Sequence, residues 1–371
     1  MRAAFMTALE EHLRVLIREN GPLDVGTFMA LAVNHYYATR DPFGTAGDFT
    51  TAPEISQMFG EMLGAWAADT WMRLGRPAPF ALIECGPGRG TLIADALRVT
   101  RKVPGFHAAL QVHLIETSPA LKEKQNALLR EYNPRWHDAL DVPIIRSSDH
   151  PIILLANEFL DALPVRQIQF SKGHWHERMI GLEGEDFIFG LSPSPCSLRS
   201  LSLSPACGGE GSRERGRENE HDIFEFSPAR TSFIESVCSL LKKNTGAALF
   251  IDYGHDVSAC GDTLQAVKHH KFVPVFLEIG EADLTSHVDF GALVNVAKKC
   301  GVAVSGPLGQ GAFLENLGTR ERAAMLSNSA TPEQKQDVAS ALERLTAPAQ
   351  MGTLFRVMGL CHDKKITLSG F

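Results

Sequence analysis

The residues best suited to chemistry are Glu84-Cys85-Gly86-Pro87-Gly88-Arg89-Gly90, an acid followed by alternating glycines. Glycine lets the chain turn tightly and lets a ligand approach the backbone closely. A helix opening directly after such a loop presents free N–H groups to an anionic or carboxylate-bearing ligand. Dinucleotide-binding loops space their glycines G-x-G-x-x-G. Here the spacing is G-x-G-x-G with Glu84 two residues before the first glycine. That variant favours S-adenosylmethionine over a nicotinamide or flavin, with Glu84, Gly86, Pro87, Gly88 and Gly90 as the expected cofactor contacts.

Further acids recur where a ligand on an open α/β sheet would meet them. Glu116 ends the next strand, where a carboxylate can accept from both ribose hydroxyls; as a helix N-terminal acid before Ser118-Pro119 it would be equally sound. Asp138 follows a short third strand, the usual place for a residue that reads the adenine, though aspartate is common in loops. Asn157-Glu158-Phe159-Leu160-Asp161 sits at the carboxyl end of an apolar strand, and ligands bind outside such ends. Asn157 is expected to face the cofactor. Glu158, with Asp161 three residues on, would face the methyl acceptor, and a carboxylate there suits an amine or guanidinium. Helix capping by Asn157 or Asp161 is the plainer alternative. Asp252-Tyr253-Gly254-His255 would border the same cleft or merely end a strand.

These residues need an alternating β/α framework, and the apolar pattern supplies one. Phe80–Glu84, Gln111–Glu116, Arg135–Leu140, Ile152–Ala156 and Ala247–Asp252 read as parallel strands, with helices over Thr91–Arg101, Pro119–Tyr132 and Pro228–Lys243. A helix over Phe290–Cys300 is expected to be capped by Asp289 and stopped by Gly301. Beyond it come a strand at Val302–Ser305, a helix over Pro332–Leu345 and a last strand within Gly352–His362. Residues 1–75 read as helical, with stripes at Leu9, Leu13, Leu16 and Ile17, and at Ile55, Met58, Phe59, Met62, Leu63 and Trp66. Thr51-Ala52-Pro53-Glu54 has the form of a capping box. Gln167–Leu191 alternates as antiparallel β outside the main sheet.

The expected fold is therefore α/β: a Rossmann-like class I methyltransferase sheet in 76–371, an N-terminal helical region in 1–75 and a small antiparallel β insertion in 165–226. Within that insertion, 192–220 is Ser-Pro and Gly-Arg-Glu rich and reads as disordered low complexity. It resembles the translated form of a dispersed bacterial repeat element, which points to a bacterial owner.

Of the 371 residues, 44% are hydrophobic and 21% charged, as in ordinary globular proteins. A net charge of −7, mixed along the chain, gives no footprint for nucleic acid. The seven cysteines include no C-x-x-C pair, against a structural zinc site or disulfide framework. No metal is expected, and no apolar run reaches the roughly 20 residues of a membrane span. Met1–Asn20 carries Glu10, Glu11 and Glu19, unlike a signal or transit peptide, so a cytoplasmic location is expected.

Five ordered motifs carry a resemblance: Tyr36-Tyr37 through Arg40-Asp41-Pro42-Phe43-Gly44 to Glu61, Glu84 to Thr91, Asn157 to Pro164, Asp252 to His255, and Gly280 to Phe290. Together they resemble the S-adenosylmethionine-dependent methyltransferase family that includes the mitochondrial complex I assembly factor. The likeness runs from about residue 20 to 360, interrupted by the 192–219 stretch; Val273-Pro274-Val275 and Glu278-Ile279 also depart from the family pattern. It implies a protein arginine N-methyltransferase whose substrate is a protein, with a respiratory complex I subunit as the partner. It also implies that Asp48, Phe49 and Thr50 form a lid over the cofactor, braced by Arg40 and Asp41, which would exclude water. A cofactor-binding assembly chaperone with little catalysis, or a methyltransferase for a small molecule, would share these motifs; a NAD oxidoreductase is disfavoured by the glycine spacing.

Overall fold

The apolar segment Ile152–Asn157 becomes a central strand buried on both faces, as its unbroken run of large aliphatic residues requires. A computed structural model describes residues 7–39, 51–140, 150–196 and 219–371. In it the main sheet runs 303–309, 355–361, 246–255, 152–157, 80–85, 110–115 and 135–137. Phe355–Cys361 pairs antiparallel with both neighbours, while the other pairings along this order are parallel. This is the sheet expected of a class I methyltransferase. The chain leaves Phe80–Cys85 in one direction and returns at Ile152–Asn157 on its other side, opening a crevice at the carboxyl ends of these strands.

Strand alternation sends successive side chains to opposite faces. Phe80 and Leu82, Ile153 and Leu155, and Leu249 and Ile251 enter one core cluster with Phe59, Trp66 and Phe106. Ala81 and Ile83, Ile152 and Leu154, and Ala248 and Phe250 enter another with Ile234 and Phe290. On the first face, Gln57–Arg73 packs closely on Thr91–Thr100: a Cβ at Gly64 would lie 2.6 Å from the Ala96 Cα. On the second lie Pro228–Asn244 and Phe290–Cys300. The latter has Asp289 accepting from the Ala292 N–H at 2.9 Å and ends at left-handed Gly301.

The antiparallel insertion consists of Arg166–Ser171, His174–Glu183, Asp186–Pro195 and Ile223–Phe226, joined at its edge by Leu23–Asp24. Leu13, Val25, Phe28 and Met29 of the first two helices pack on Val165 and Ile180 of the insertion and on Leu284 of a separate three-stranded sheet, not on the main sheet. Two expectations are corrected. The supposed disordered stretch is ordered at its start, because Asp186–Pro195 continues through Ser192 and pairs with His174–Glu183. Ser192 Oγ there accepts from the Glu177 N–H at 3.1 Å. At its far end Glu220 accepts from the Ser171 hydroxyl at 2.9 Å; residues 197–218 lie outside the described ones. The capping box also fails: Thr51 makes no side-chain cap bond, and Ala52–Ile55 is a short separate helix. The long helix starts at Gln57, with Ser56 accepting from the Met58 N–H at 3.2 Å.

Candidate active site

A cavity of about 490 Å³ opens at the crevice. The glycine loop, Glu116, 157–159 and 162–164 line it, as do 138–140, Glu54 and one side of Val25–Thr39. Gly86, Gly88 and Gly90 have φ of 67°, 53° and 86°, the left-handed region that glycine alone enters without cost. A Cβ at Gly86 would come within 3.0 Å of the Phe159 ring. The loop is tightened by the Gly90 N–H donating to the Pro87 carbonyl at 2.7 Å.

Glu84 is 3% exposed. Burial pushes its pKa up to about 8, opposed by a hydrogen bond from the Ile93 N–H in the first turn of the following helix. Its Oε2 is buried and has no hydrogen-bond partner among the described residues. Glu116 sits at a helix start and on the cavity wall at once. Its Oε1 accepts from the Thr117 and Ser118 N–H groups, each at 2.8 Å, as a helix-terminal acid would, yet it also lines the cavity. Its Oε2 accepts from Gln125 at 3.2 Å. Asp138 lines the rim; its carboxylate is 81% exposed and pairs with Lys122 Nζ at 2.8 Å, which lowers its pKa. Asp48 and Thr50, with the rest of the expected lid, lie outside the described residues.

At the other end, the Asn157 amide donates to Glu158 Oε1 at 3.1 Å, and the Ala52 N–H donates to the same oxygen at 3.0 Å. Glu158 adopts φ 48°, an uncommon conformation for a residue with a side chain, and both residues line the cavity. Burial pushes Glu158 up to about 7. Glu54, from the failed capping box, faces the loop and accepts from the Thr91 hydroxyl at 2.6 Å.

Asp161, Tyr253 and His255 are not among the cavity's lining residues. Asp161 lies behind Glu158, its pKa raised by burial and held back by a Tyr253 hydrogen bond and by Arg230. His255 approaches Asp289 at 3.9 Å.

The scaffold of the cavity therefore combines a tight glycine turn and two carboxylates, Glu84 and Glu158, at adjacent strand ends. Residues 62–308 match a protein-family model described as "Putative S-adenosyl-L-methionine-dependent methyltransferase". The chain belongs to this methyltransferase family. It is 35% identical to the Drosophila melanogaster "Protein arginine methyltransferase NDUFAF7 homolog, mitochondrial", over 98% of this chain and 88% of that one. It is 31% identical to the human "Protein arginine methyltransferase NDUFAF7, mitochondrial", over 97% and 85%. A crystal structure of a Burkholderia thailandensis protein bound to S-adenosyl-homocysteine shares the fold with TM-score 0.79 and 24% identity, covering 95% of this chain and 92% of that one.

Two residues around this candidate site, Gln125 and Arg230, carry no signal in the sequence, while Asp252 and Tyr37 lie in motifs that do. Gln125 is fully buried; its amide donates to the Gly88 carbonyl at 2.7 Å and its oxygen accepts from Trp136 Nε1 at 2.8 Å, so it ties the glycine loop to Glu116 and the third strand. Arg230, 4% exposed, donates to the backbone carbonyls of Leu160, Asp161, Ser286 and His287 at 2.7–3.1 Å. Asp252 Oδ2 accepts from the Leu160 and Asp161 N–H groups at 2.9 and 3.1 Å. Tyr37 reaches the cavity from the N-terminal helices and donates to Asp283 at 3.3 Å; the Tyr36-Tyr37 motif could have pointed to it. Among the described residues no helix is long and apolar enough to cross a membrane.

Proposed function

We propose that this chain transfers a methyl group from S-adenosyl-L-methionine to an arginine side chain of a protein, and that a respiratory complex I subunit is the acceptor. The carrying observation is Glu158: a carboxylate facing the cavity, with Oε1 engaged by Ala52 and Asn157 and no described donor on Oε2. The arginine methyltransferase names of the relatives favour a guanidinium over other acceptors.

The residues fit the cofactor. The left-handed glycines admit its amino-acid end to the backbone, the unpaired Glu84 oxygen suits its ammonium, and Glu116 and Asp138 are assigned to its ribose and adenine. Bound there, S-adenosyl-L-methionine supplies a methyl group on a sulfonium. Glu158 accepts guanidinium N–H bonds and orients a nitrogen lone pair toward that methyl. The sulfonium would serve as both methyl donor and leaving group, so the chain's own residues need only orient the nitrogen and take up its proton. The proton shed by nitrogen passes to the Glu158 carboxylate, whose raised pKa makes it a better base than an exposed glutamate. Asp161, assigned to catalysis from the sequence, acts through the placement of Glu158.

Calorimetric titration with S-adenosyl-L-methionine, with NAD as control, tests the cofactor half. Gly88→Val should abolish binding without unfolding the chain; unchanged affinity would remove the loop from the site. Glu158→Gln tests the acceptor half. It should preserve cofactor binding and lower turnover by about 10²–10⁴-fold. In the parent, kcat/KM should rise with pH through about 7 as Glu158 ionises, and the variant should lose that limb. Full turnover in the variant would eliminate Glu158 as base. Cofactor binding and a lasting client complex without methylated product would favour the assembly-chaperone reading.

A further inference from the structure

Two buried oxygens of cavity-lining residues, Glu84 Oε2 and Asn157 Oδ1, have no hydrogen-bond partner among the described residues. They lie at the ends of adjacent strands, where Cys85 pairs with Ala156. Their surroundings differ. Glu84 leads into the glycine loop and is bonded by the helix that follows it. Asn157 is chained to Glu158, since its amide nitrogen donates to Oε1. That bond also fixes which way the amide faces, because a carboxylate can accept only from the nitrogen side. Asn157 Oδ1 is therefore held as an acceptor, with the residue 8% exposed.

From this juxtaposition we propose that Asn157 Oδ1 and Glu158 Oε2 form a two-pronged grip for the guanidinium of the acceptor arginine, which makes Asn157 an acceptor-recognition residue rather than a cofactor contact. The inference rests on the methyltransferase reading above. A guanidinium is planar and presents parallel N–H donors, so acceptors on two residues already bonded to each other suit it, whereas an ammonium presents a compact point charge. One prong is charged and one neutral. The carboxylate therefore compensates the cation's charge while the amide oxygen adds direction without a second negative charge beside it. The left-handed backbone at Glu158 supports this assignment, because such a conformation is retained where the surrounding structure holds a side chain to a task.

The test uses the full chain saturated with S-adenosyl-homocysteine, titrated by calorimetry with N-acetyl-arginine methylamide and with N-acetyl-lysine methylamide. The parent should bind the arginine probe about tenfold more tightly than the lysine probe. Asn157→Leu should remove that preference while S-adenosyl-homocysteine affinity stays within about twofold. Asn157→Ala removes the same oxygen with less added bulk and should likewise remove the preference, so it carries the test if the leucine variant fails to fold; a preference retained in the alanine variant would overturn the proposal. A tenfold loss of S-adenosyl-homocysteine affinity in Asn157→Leu, with the arginine preference intact, would return Asn157 to the cofactor and overturn the proposal. Equal binding of the two probes, or no arginine binding, by a parent that binds S-adenosyl-homocysteine would overturn the grip and leave the methyltransferase reading standing. Failure of the parent to bind S-adenosyl-homocysteine would sink both.

Discussion

At the glycine-loop end of the cavity, Glu84, Gly86, Gly88 and Gly90 fall within seven consecutive residues, and the loop's conformation follows from its own composition. The Glu158 end is assembled from distant segments. Ala52 holds Glu158, Asp252 holds the turn after it, and Arg230 joins that turn to the carbonyls of Ser286 and His287. One end is a local turn carried by a strand; the other is a tertiary junction. A change in the first should therefore damage ligand binding before stability, and a change in the second should do the reverse.

The largest effect is expected at the junction. Arg230→Leu removes a donor from four backbone carbonyls, three of those bonds fully buried, and removes the cation beside Asp161 and Asp252. Breaking a buried charged network in this way costs about 3–5 kcal/mol. Denaturant unfolding should show that loss, with Arg230→Lys recovering only part of it because lysine lacks the planar fork. A stability unchanged within about 0.5 kcal/mol would mean that the junction is not what holds the turn.

Gly86→Val should show the opposite balance. A branched side chain at φ 67° is strained and meets Phe159 at the cavity wall. The strain costs about 1–3 kcal/mol, while cofactor affinity should fall by roughly 100-fold or more. If stability falls and affinity does not, the contrast between a local and a tertiary end is wrong.

The same contrast explains what could be read from the sequence. The glycine loop was legible because its signal is contiguous, and the parallel strands because each is an apolar run bounded by turns. Phe290–Cys300 was legible to its ends, since Asp289 and Gly301 act through their immediate neighbours. Arg230 and Gln125 were not: each is a single polar residue in an amphipathic helix, and the carbonyls they satisfy lie far away in sequence. Asp161 was placed in the cleft on helical spacing from Glu158, but the left-handed Glu158 breaks that spacing and Asp161 turns behind it. The strands Gln265–Lys268, Lys271–Val273 and Asp283–Thr285 are too short to show a period. Thr51 was misread because Pro53 and Glu54 imitate a cap, while the Glu54 carboxylate is drawn to Thr91.

Glu84→Gln separates binding from stability within the local end. The folded-state pKa of about 8 lies above the ordinary 4.5, so burial favours the protonated form. This group's contribution to stability is then fully present below pH 4.5 and is lost as the pH rises through about 8. A glutamine stays neutral throughout. Without cofactor, the variant should gain stability relative to the parent as the pH rises from 5 to 8, reaching on the order of 2 kcal/mol near pH 6 and roughly twice that at pH 8. Its affinity for S-adenosyl-L-methionine should meanwhile fall about tenfold, because the ammonium loses its charged partner. A stability difference independent of pH would show that Glu84 does not titrate in this range.

The smallest effect is expected at Asp138, the site residue with the least structure around it. Its carboxylate is largely in solvent and already paired with Lys122, so it is screened and offers a ligand little that water does not. Asp138→Asn should leave the unfolding midpoint unchanged and alter cofactor affinity by less than about threefold. Measured again at high salt, even that difference should shrink. An affinity loss above about tenfold, unaffected by salt and absent in Lys122→Ala, would instead show a direct contact that excludes water on binding. The adenine end would then join Glu84 and Gly86 as part of the local, contiguous half of the site, and the boundary between the two halves would move from the rim at residue 138 to the strand end at Asn157.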